Sequence, residues 1–167
     1  MNIILDVDDV VLAWHEAYAK RYKIPIPTSW IPYDVIKPHL EELRTNRLFW
    51  VTLPLKFMPN FVPKAYVSAR GVPVEWTRKA MQLRKLPGRS NIHHVPWGNS
   101  KIEVLKRLKC DIFIDDKYET FLECHKNGIF CLLMDSPQNR QYKTKLRIHS
   151  LKLKEIMGKY DLWQKSR

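Results

Sequence analysis

The sequence predicts an α/β protein with a Rossmann-like, three-layer core, in which helices cover both faces of a parallel sheet. Short apolar runs alternate along the chain with segments of helical periodicity, which is typical of parallel strands joined by helices. Two of the runs, residues 3–5 and 112–114, are followed directly by aspartates. A length of 167 residues suits one such core with a small insertion.

The first strand and the segment after it have different compositions. Residues 3–5 form an apolar strand, and helical spacing of aromatic and alanine residues predicts a helix over residues 14–22. The prolines within residues 24–27 end it. Residues 28–60 are rich in aromatic residues and prolines, with a helical stretch around residues 38–48 and no clear strand. We therefore expect a small, mainly helical cap inserted after the first strand.

Strands and helices then alternate as far as residue 134. The predicted strands are residues 65–68, 92–95, 111–114 and 129–134. The predicted helices are residues 74–86, 100–108 and 118–127, the last ended by Gly128. The resulting division is a core of residues 1–11 and 61–167 and a cap of residues 12–60.

Composition restricts the class of protein. No apolar stretch approaches the roughly 20 residues of a membrane span, and Asp6, Asp8 and Asp9 interrupt the only apolar start. We expect a cytoplasmic protein with no membrane partner.

The three cysteines lack Cys-x-x-Cys spacing, which favours reduced packing residues over disulfides or a zinc site. The neighbouring residues His93 and His94 would face opposite sides of an extended segment, which favours a polar loop before Pro96 over a metal site.

The net charge of +12 favours anionic partners such as nucleotides, nucleic acid or phosphorylated metabolites. A run of basic residues is as often a solvated face as a binding surface. Charge alone does not distinguish a small anion from a polymer.

The aspartates after the two strands point to a specific kind of site. Ligands of open α/β sheets bind beyond the carboxyl ends of the strands, where Asp6, Asp8, Asp115 and Asp116 are expected to project. Carboxylates gathered together repel one another unless a cation neutralises them. Mg²⁺ characteristically binds carboxylates together with substrate phosphate. The pattern therefore predicts a metal ion and a phosphoryl group.

Two carboxylates at one strand end can divide the chemistry between them. One attacks phosphorus to form an aspartyl-phosphate and the other moves a proton. The alternative is that Asp6-x-Asp8 caps the following helix. Ser68, after a second apolar strand, can hold a phosphate oxygen or cap a helix. Lys101 can balance carboxylates or phosphate, or be a solvated lysine.

The order of these residues resembles the four motifs of haloacid dehalogenase-like phosphohydrolases. Asp6-Val7-Asp8, Ser68, Lys101 and Asp115-Asp116 occur in that order over nearly the whole chain. The resemblance implies an aspartyl-phosphate mechanism with Mg²⁺ as cofactor and a cap between the first two motifs.

The resemblance also implies a role for each motif residue. Asp6 is the expected nucleophile, and Asp8 is the expected general acid and base whose presence indicates a phosphatase. The expected phosphate-binding residues are Ser68, Ala69, Arg70 and Lys101. The expected metal ligands are Asp6, Asp8, Asp115 and Asp116. Asp9 departs from the pattern, because glycine commonly occupies this position; aspartate tolerates positive φ better than most residues.

Two branches of the superfamily compete for the substrate. The 5'(3')-deoxyribonucleotidase group is similar in its Leu53-Pro54 element and in Pro137-Gln138-Asn139-Arg140. It implies a 5'-nucleotidase acting on nucleoside monophosphates, with Phe49 and Trp50 stacking on the base or forming the small core of the cap.

The second branch is the 3'-phosphatase domain of polynucleotide kinase. Ser68-Ala69-Arg70 and Asp115-Asp116-Lys117 are similar to its motifs without being identical. It implies an enzyme that acts on nucleic-acid ends. A third hypothesis is an inactive, basic nucleic-acid-binding module, and the intact set of acids argues against it.

Overall fold

Six parallel strands form one sheet in the part of the chain that the structure describes. The computed structural model describes residues 1–30 and 33–165; residues 31, 32, 166 and 167, which fall within the predicted cap and core, lie outside these ranges. The strands, β1 to β6 in chain order, are Ile3–Leu5, Ala65–Ala69, Ile92–Val95, Ile112–Asp115, Phe130–Met134 and Arg147–Ile148. Their order across the sheet is β3-β2-β1-β4-β5-β6, and each neighbouring pair is parallel.

Within residues 1–30 and 33–165, seven α-helices connect and follow these strands. In chain order, α1 to α7 are Trp14–Tyr22, Tyr33–Leu43, Arg47–Val51, Val74–Leu83, Ile102–Arg107, Tyr118–Lys126 and Leu153–Gln164. Among the described residues, no helix is long and apolar enough to cross a membrane.

Alternate residues of the strands bury two separate apolar clusters, one on each face of the sheet. Leu5 of β1 packs on the face that also buries Met81 of α4 and Ile156 of α7. Ile4 points the other way, to the face covered by Leu105 of α5 and Phe121 of α6. Helices therefore cover both faces, and the predicted α/β three-layer fold is confirmed.

Strands are added to one side of β1 first and then to its other side. The chain moves from β1 outward to β2 and β3, and then returns to the other side with β4. A crevice opens between neighbouring strands at such a switch point, beyond their carboxyl ends. The register pairs Leu5 with Ile114, so residues 6 and 115 leave the sheet side by side. The fold thus brings the two aspartate clusters together.

Helices α1, α2 and α3 lie between β1 and β2 in the chain. The two segments that connect them to the core are joined: Ala13 donates its N–H to the Pro54 carbonyl at 2.9 Å, and Lys56 donates its N–H to Val11 at 2.9 Å. Leu12 and Leu55 form an antiparallel bridge between these segments.

Some element boundaries differ from those expected. The predicted helical stretch at residues 38–48 is two helices, α2 and α3, and Asn46 caps the second by accepting the Phe49 N–H at 3.1 Å. Helix α4 stops at Leu83, and Lys85 adopts φ 54° beyond it. Strand β2 continues to Ala69, and β4 begins at Ile112 and includes Asp115.

Strand β6 and helix α7 were not predicted. Strand β6 has two residues, too few to show an alternating pattern, and its pairing with β5 is a tertiary feature. Helix α7 carries apolar residues at helical spacing, and Ile156, Met157, Tyr160 and Trp163 pack on the core. Its lysines indicated only a basic surface, and that interpretation overlooked the apolar face.

Candidate active site

Three carboxylates meet at the switch point of the sheet. Asp6 follows β1, Asp115 ends β4 and Asp116 follows it. Their oxygens lie within 4.8 Å of one another, and each residue is at most 6% exposed. Within the described part of the chain, Asp116 Oδ2 has no hydrogen-bond partner. An oxygen-only donor set with an unsatisfied buried carboxylate oxygen fits a hard divalent cation.

The Lys101 ammonium neutralises part of this charge. Its Nζ lies 2.9 Å from Asp6 Oδ1 and donates to Asp115 Oδ2 at 2.8 Å. Burial works against the charge on Lys101, but Asp115 and Asp6 outweigh burial and raise the pKa of the ammonium. Lys101 precedes α5, so its position is set by the start of that helix.

One ammonium does not balance three carboxylates. Burial raises the pKa of Asp6 to about 7, with Asp115 and Asp8 acting in the same direction and Lys101 opposing them. Burial and the charges of Asp9 and Asp115 raise the pKa of Asp116 well above its usual range. The site therefore lacks positive charge, which a divalent cation would supply.

The carboxylate of Asp8 faces a different partner. Arg70 Nε donates to Asp8 Oδ2 at 2.8 Å, and a second guanidinium nitrogen of Arg70 donates to Asp8 Oδ1. The side chain of Asp8 is 25% exposed, so one side of it remains open. Of the four expected metal ligands, the structure brings together Asp6, Asp115 and Asp116 and pairs Asp8 with Arg70.

A cavity of about 850 Å³ lies above the carboxylates. The four predicted phosphate-binding residues contribute to its lining: Ser68, Ala69, Arg70 and Lys101. Ser68 is buried near the end of β2, and its hydroxyl has no hydrogen-bond partner among the residues described. A buried hydroxyl without a partner is costly, and a phosphate oxygen would satisfy it.

The other wall of the cavity is apolar and comes from the segment between β1 and β2. It includes Trp14, Trp30 and Trp50. Trp50 donates its indole N–H to the Leu43 carbonyl at 2.8 Å. Its ring lies 5.1 Å from the Arg70 guanidinium carbon.

Of the two aromatic residues predicted to contact a base, only Trp50 is among the residues that line the cavity. Phe49 is buried and packs edge-on against Trp50, with ring centroids 5.4 Å apart. Its environment favours the alternative in which Phe49 belongs to the small core of the inserted segment.

Asp9 occupies the position at which the resemblance implies glycine. Its φ is 55°, so the backbone does adopt the left-handed region that glycine favours. The buried carboxylate contacts His15 Nδ1 at 2.5 Å and Lys56 Nζ at 3.1 Å. Burial acts to raise the pKa of Asp9, but the hydrogen bond from His15 and the charges of His15 and Lys56 lower it overall. Asp9 is thus a paired structural acid.

Sequence reasoning missed the residues that hold the loop after β4. Asn139 donates from its amide to the Asp116 carbonyl at 2.7 Å and to the Met134 carbonyl at 2.8 Å. Arg147 in turn donates to the Asn139 carbonyl at 3.0 Å. The resemblance points to the segment Pro137-Gln138-Asn139-Arg140 without giving it a structural role. The hydrogen bond to Asp116 spans 23 residues, which is beyond the range of any local sequence signal.

Comparison with known proteins adds an independent observation. No family model matches the chain. A nucleotidase of Clostridium acetobutylicum is 36% identical over 160 residues, an alignment that covers 95% of this chain and 74% of that protein. Identity at this level over nearly the whole chain places the protein in the same family as that nucleotidase.

Proposed function

We propose that the protein is a nucleotidase: a Mg²⁺-dependent phosphomonoester hydrolase of the haloacid dehalogenase-like type that dephosphorylates nucleoside monophosphates. The observation that carries the proposal is the group of Asp6, Asp115 and Asp116 carboxylates beside Lys101, on the floor of a cavity that also contains the Ser68 hydroxyl. The relationship to a nucleotidase supports a nucleotide as the substrate.

The arrangement supports two successive displacements at phosphorus. The Asp6 carboxylate attacks the phosphorus atom, the ester bond breaks, and Asp8 gives its proton to the departing oxygen of the nucleoside. A water molecule then attacks the phosphorus of the aspartyl-phosphate while Asp8 takes a proton from the water. The P–O bond to Asp6 breaks, which releases inorganic phosphate and regenerates the carboxylate.

The remaining residues bind and orient the phosphate. The Ser68 hydroxyl and the Lys101 ammonium are donors at the cavity floor. Asp6, Asp115 and Asp116 would hold Mg²⁺. When bound, the cation would neutralise charge at these carboxylates and at the phosphate and so permit an anionic substrate to approach.

The apolar wall supports a nucleoside in preference to a small polar alcohol. Trp30 and Trp50 present aromatic surface to the cavity, and stacking on an aromatic side chain contributes about 1 to 3 kcal/mol per base in single-strand binding. We expect the base to contact this wall and the phosphate to lie over Asp6.

A screen of phosphate monoesters tests the proposal. It includes 5'- and 3'-deoxynucleotides, 3'-phosphorylated oligonucleotides and p-nitrophenyl phosphate, each with and without Mg²⁺. We expect Mg²⁺-dependent release of phosphate from nucleoside monophosphates, and loss of at least about a hundredfold in Asp6→Asn. Equal, slow hydrolysis by wild type and Asp6→Asn would contradict it and favour a binding module.

A further inference from the structure

Arg70 is buried, and its guanidinium is engaged by side chains of the protein. Its Nε and Nη2 atoms donate to the two oxygens of Asp8, and its Nη1 donates to Thr77 Oγ1 at 2.7 Å. The residue is 4% exposed. A bidentate contact fixes the plane of a carboxylate as well as its position. The contact therefore sets the orientation of Asp8.

A second pair of residues holds Arg70 in turn. Thr77 is fully buried on α4, and its hydroxyl lies 3.0 Å from His94 Nε2 on β3. Because the Thr77 oxygen accepts from Arg70, its single proton is free to be donated to His94. This requires His94 Nε2 to be unprotonated. Burial, followed by the charge of Arg70, lowers the pKa of His94 to about 4, so the ring is neutral at pH 7 and can accept.

We propose that Arg70, Thr77 and His94 are positioning residues that hold the Asp8 carboxyl for proton transfer to the leaving group. This inference rests on the proposed function, in which Asp8 is the general acid. It differs from the role that the resemblance implies for Arg70, which is to bind phosphate. Asp8 remains 25% exposed while Arg70 holds it, so the same contact can persist when substrate is bound.

The inference predicts a dependence on the leaving group. A nucleoside alkoxide needs a proton as it departs, whereas p-nitrophenolate is a stable anion and leaves without one. A defect in the orientation of Asp8 therefore slows the nucleotide far more than p-nitrophenyl phosphate. The ratio kcat/KM is the relevant quantity because it covers the steps through departure of the leaving group. Loss of a phosphate ligand would slow both substrates alike.

Thr77→Val tests the inference, because valine has nearly the shape of threonine and lacks the hydroxyl. We expect kcat/KM for the best nucleoside monophosphate to fall about 10- to 100-fold, a fraction of the roughly 10²- to 10⁴-fold that general acid catalysis supplies. For p-nitrophenyl phosphate we expect a fall of less than about threefold. Thr77→Ser keeps the hydroxyl and should recover most of the lost activity.

His94→Phe removes the nitrogen that accepts the Thr77 proton. It should lower kcat/KM for the nucleotide far more than for p-nitrophenyl phosphate, as Thr77→Val does. The matched control is Thr45→Val, because Thr45 is exposed and its hydroxyl donates to the Glu42 carbonyl, outside the cavity. Thermal unfolding of each variant reports whether it folds. Failure of both Thr77→Val and His94→Phe to fold would assign the pair a structural role and overturn the inference.

Equal losses on both substrates, or no loss on either, would also overturn the inference while leaving the proposed function intact. Failure of the proposed function has a different signature, which is a wild-type protein no more active than Asp6→Asn on any phosphate monoester.

Discussion

At the scale of single residues, Asp9 shows what a sequence can and cannot predict. The left-handed backbone at this position agrees with the glycine that the resemblance implies there and with the tolerance of aspartate for positive φ. Its partners did not follow, because Lys56 is 47 residues away and the contact with His15 depends on how α1 leaves the loop. The Asp9 carboxylate is paired with both residues, and its negative charge still acts on Asp116, where it helps to raise the pKa.

The pairing of Asp9 predicts a difference between two substitutions. Asp9→Ala removes the carboxylate that contacts His15 and leaves Lys56 with Glu16 as its ion-pair partner. It also places alanine, which has no polar side chain to bond locally, at φ 55°. We expect it to lower the free energy of unfolding by about 3 to 5 kcal/mol. Asp9→Asn keeps an acceptor and tolerates this backbone, so it should cost less. Urea unfolding measures both; equal costs below about 1 kcal/mol would show that the pairing contributes little.

The raised pKa of Asp6 predicts how stability depends on pH and Mg²⁺. The pKa of Asp6 is about 7 in the folded protein, and the usual value is 3.8. Between about pH 4 and pH 7, therefore, Asp6 is protonated in the folded protein and ionised in the unfolded chain. The contribution of Asp6 to the free energy of unfolding of the metal-free protein therefore falls as the pH rises from about 4 to 7.

Mg²⁺ competes with that proton, so it should raise the melting temperature more at pH 8 than at pH 5, by several degrees. Thermal unfolding with and without Mg²⁺ at both pH values measures this difference. Asp6→Asn should reduce the dependence on pH. An effect of Mg²⁺ that is equal at both pH values, or absent, would contradict the assignment of Asp6 as a ligand.

At the scale of elements, apolar runs and helical periodicity were sufficient for β1 to β5 and for α1, α4, α5 and α6. Two features could not be predicted from local pattern. Helix α2 contains Pro38 in its interior, although proline favours the start of a helix. Strand β6 exists because its two residues pair with β5 at the edge of the sheet. Both depend on tertiary contacts, which override local preference.

Two glycines in the connections that follow α4 and α6 differ in how closely they are packed. Gly88 and Gly128 both have positive φ, at 66° and 74°. A Cβ on Gly88 would lie 2.8 Å from the Pro63 carbonyl oxygen, whereas a Cβ on Gly128 would meet nothing within 4 Å.

Alanine at these two positions separates backbone strain from steric contact. Gly128→Ala should cost about 1 to 2 kcal/mol, the strain of left-handed backbone alone. Gly88→Ala should cost more, because the Pro63 backbone must also move. Chemical denaturation of the two variants measures the difference, and a Gly88→Ala cost no larger than that of Gly128→Ala would show that the contact is relieved without penalty.

At the scale of the whole molecule, the order of the motifs predicted which residues lie together, and the net charge did not. Asp6, Ser68, Lys101 and Asp115 were identified by their places after strands or before a helix, and the switch point of the sheet brings them together. The links from Asn139 to Asp116 and from Arg70 to Asp8 join residues far apart in the chain, so no spacing rule could reveal them.

The charge of +12 leaves a mononucleotide and a nucleic-acid end as competing substrates, and salt separates them. Binding of single strands weakens with a slope of about 0.7 per phosphate neutralised on a logarithmic salt scale. We expect kcat/KM for a nucleoside monophosphate to change by less than about threefold between about 50 and 200 mM salt. A 3'-phosphorylated oligonucleotide that is hydrolysed faster than any mononucleotide, with a steep salt slope, would favour the polynucleotide 3'-phosphatase.

The most direct test of the central claim is to trap the phosphorylated enzyme. Acid quenching during turnover of a nucleoside monophosphate with Mg²⁺, followed by proteolysis and mass spectrometry, locates any phosphoryl group on the chain. We expect the phosphoryl group on Asp6, and none on this peptide in Asp6→Asn. Rapid turnover with no phosphoryl group on Asp6 at any quench time, together with an active Asp6→Asn, would contradict the proposed mechanism.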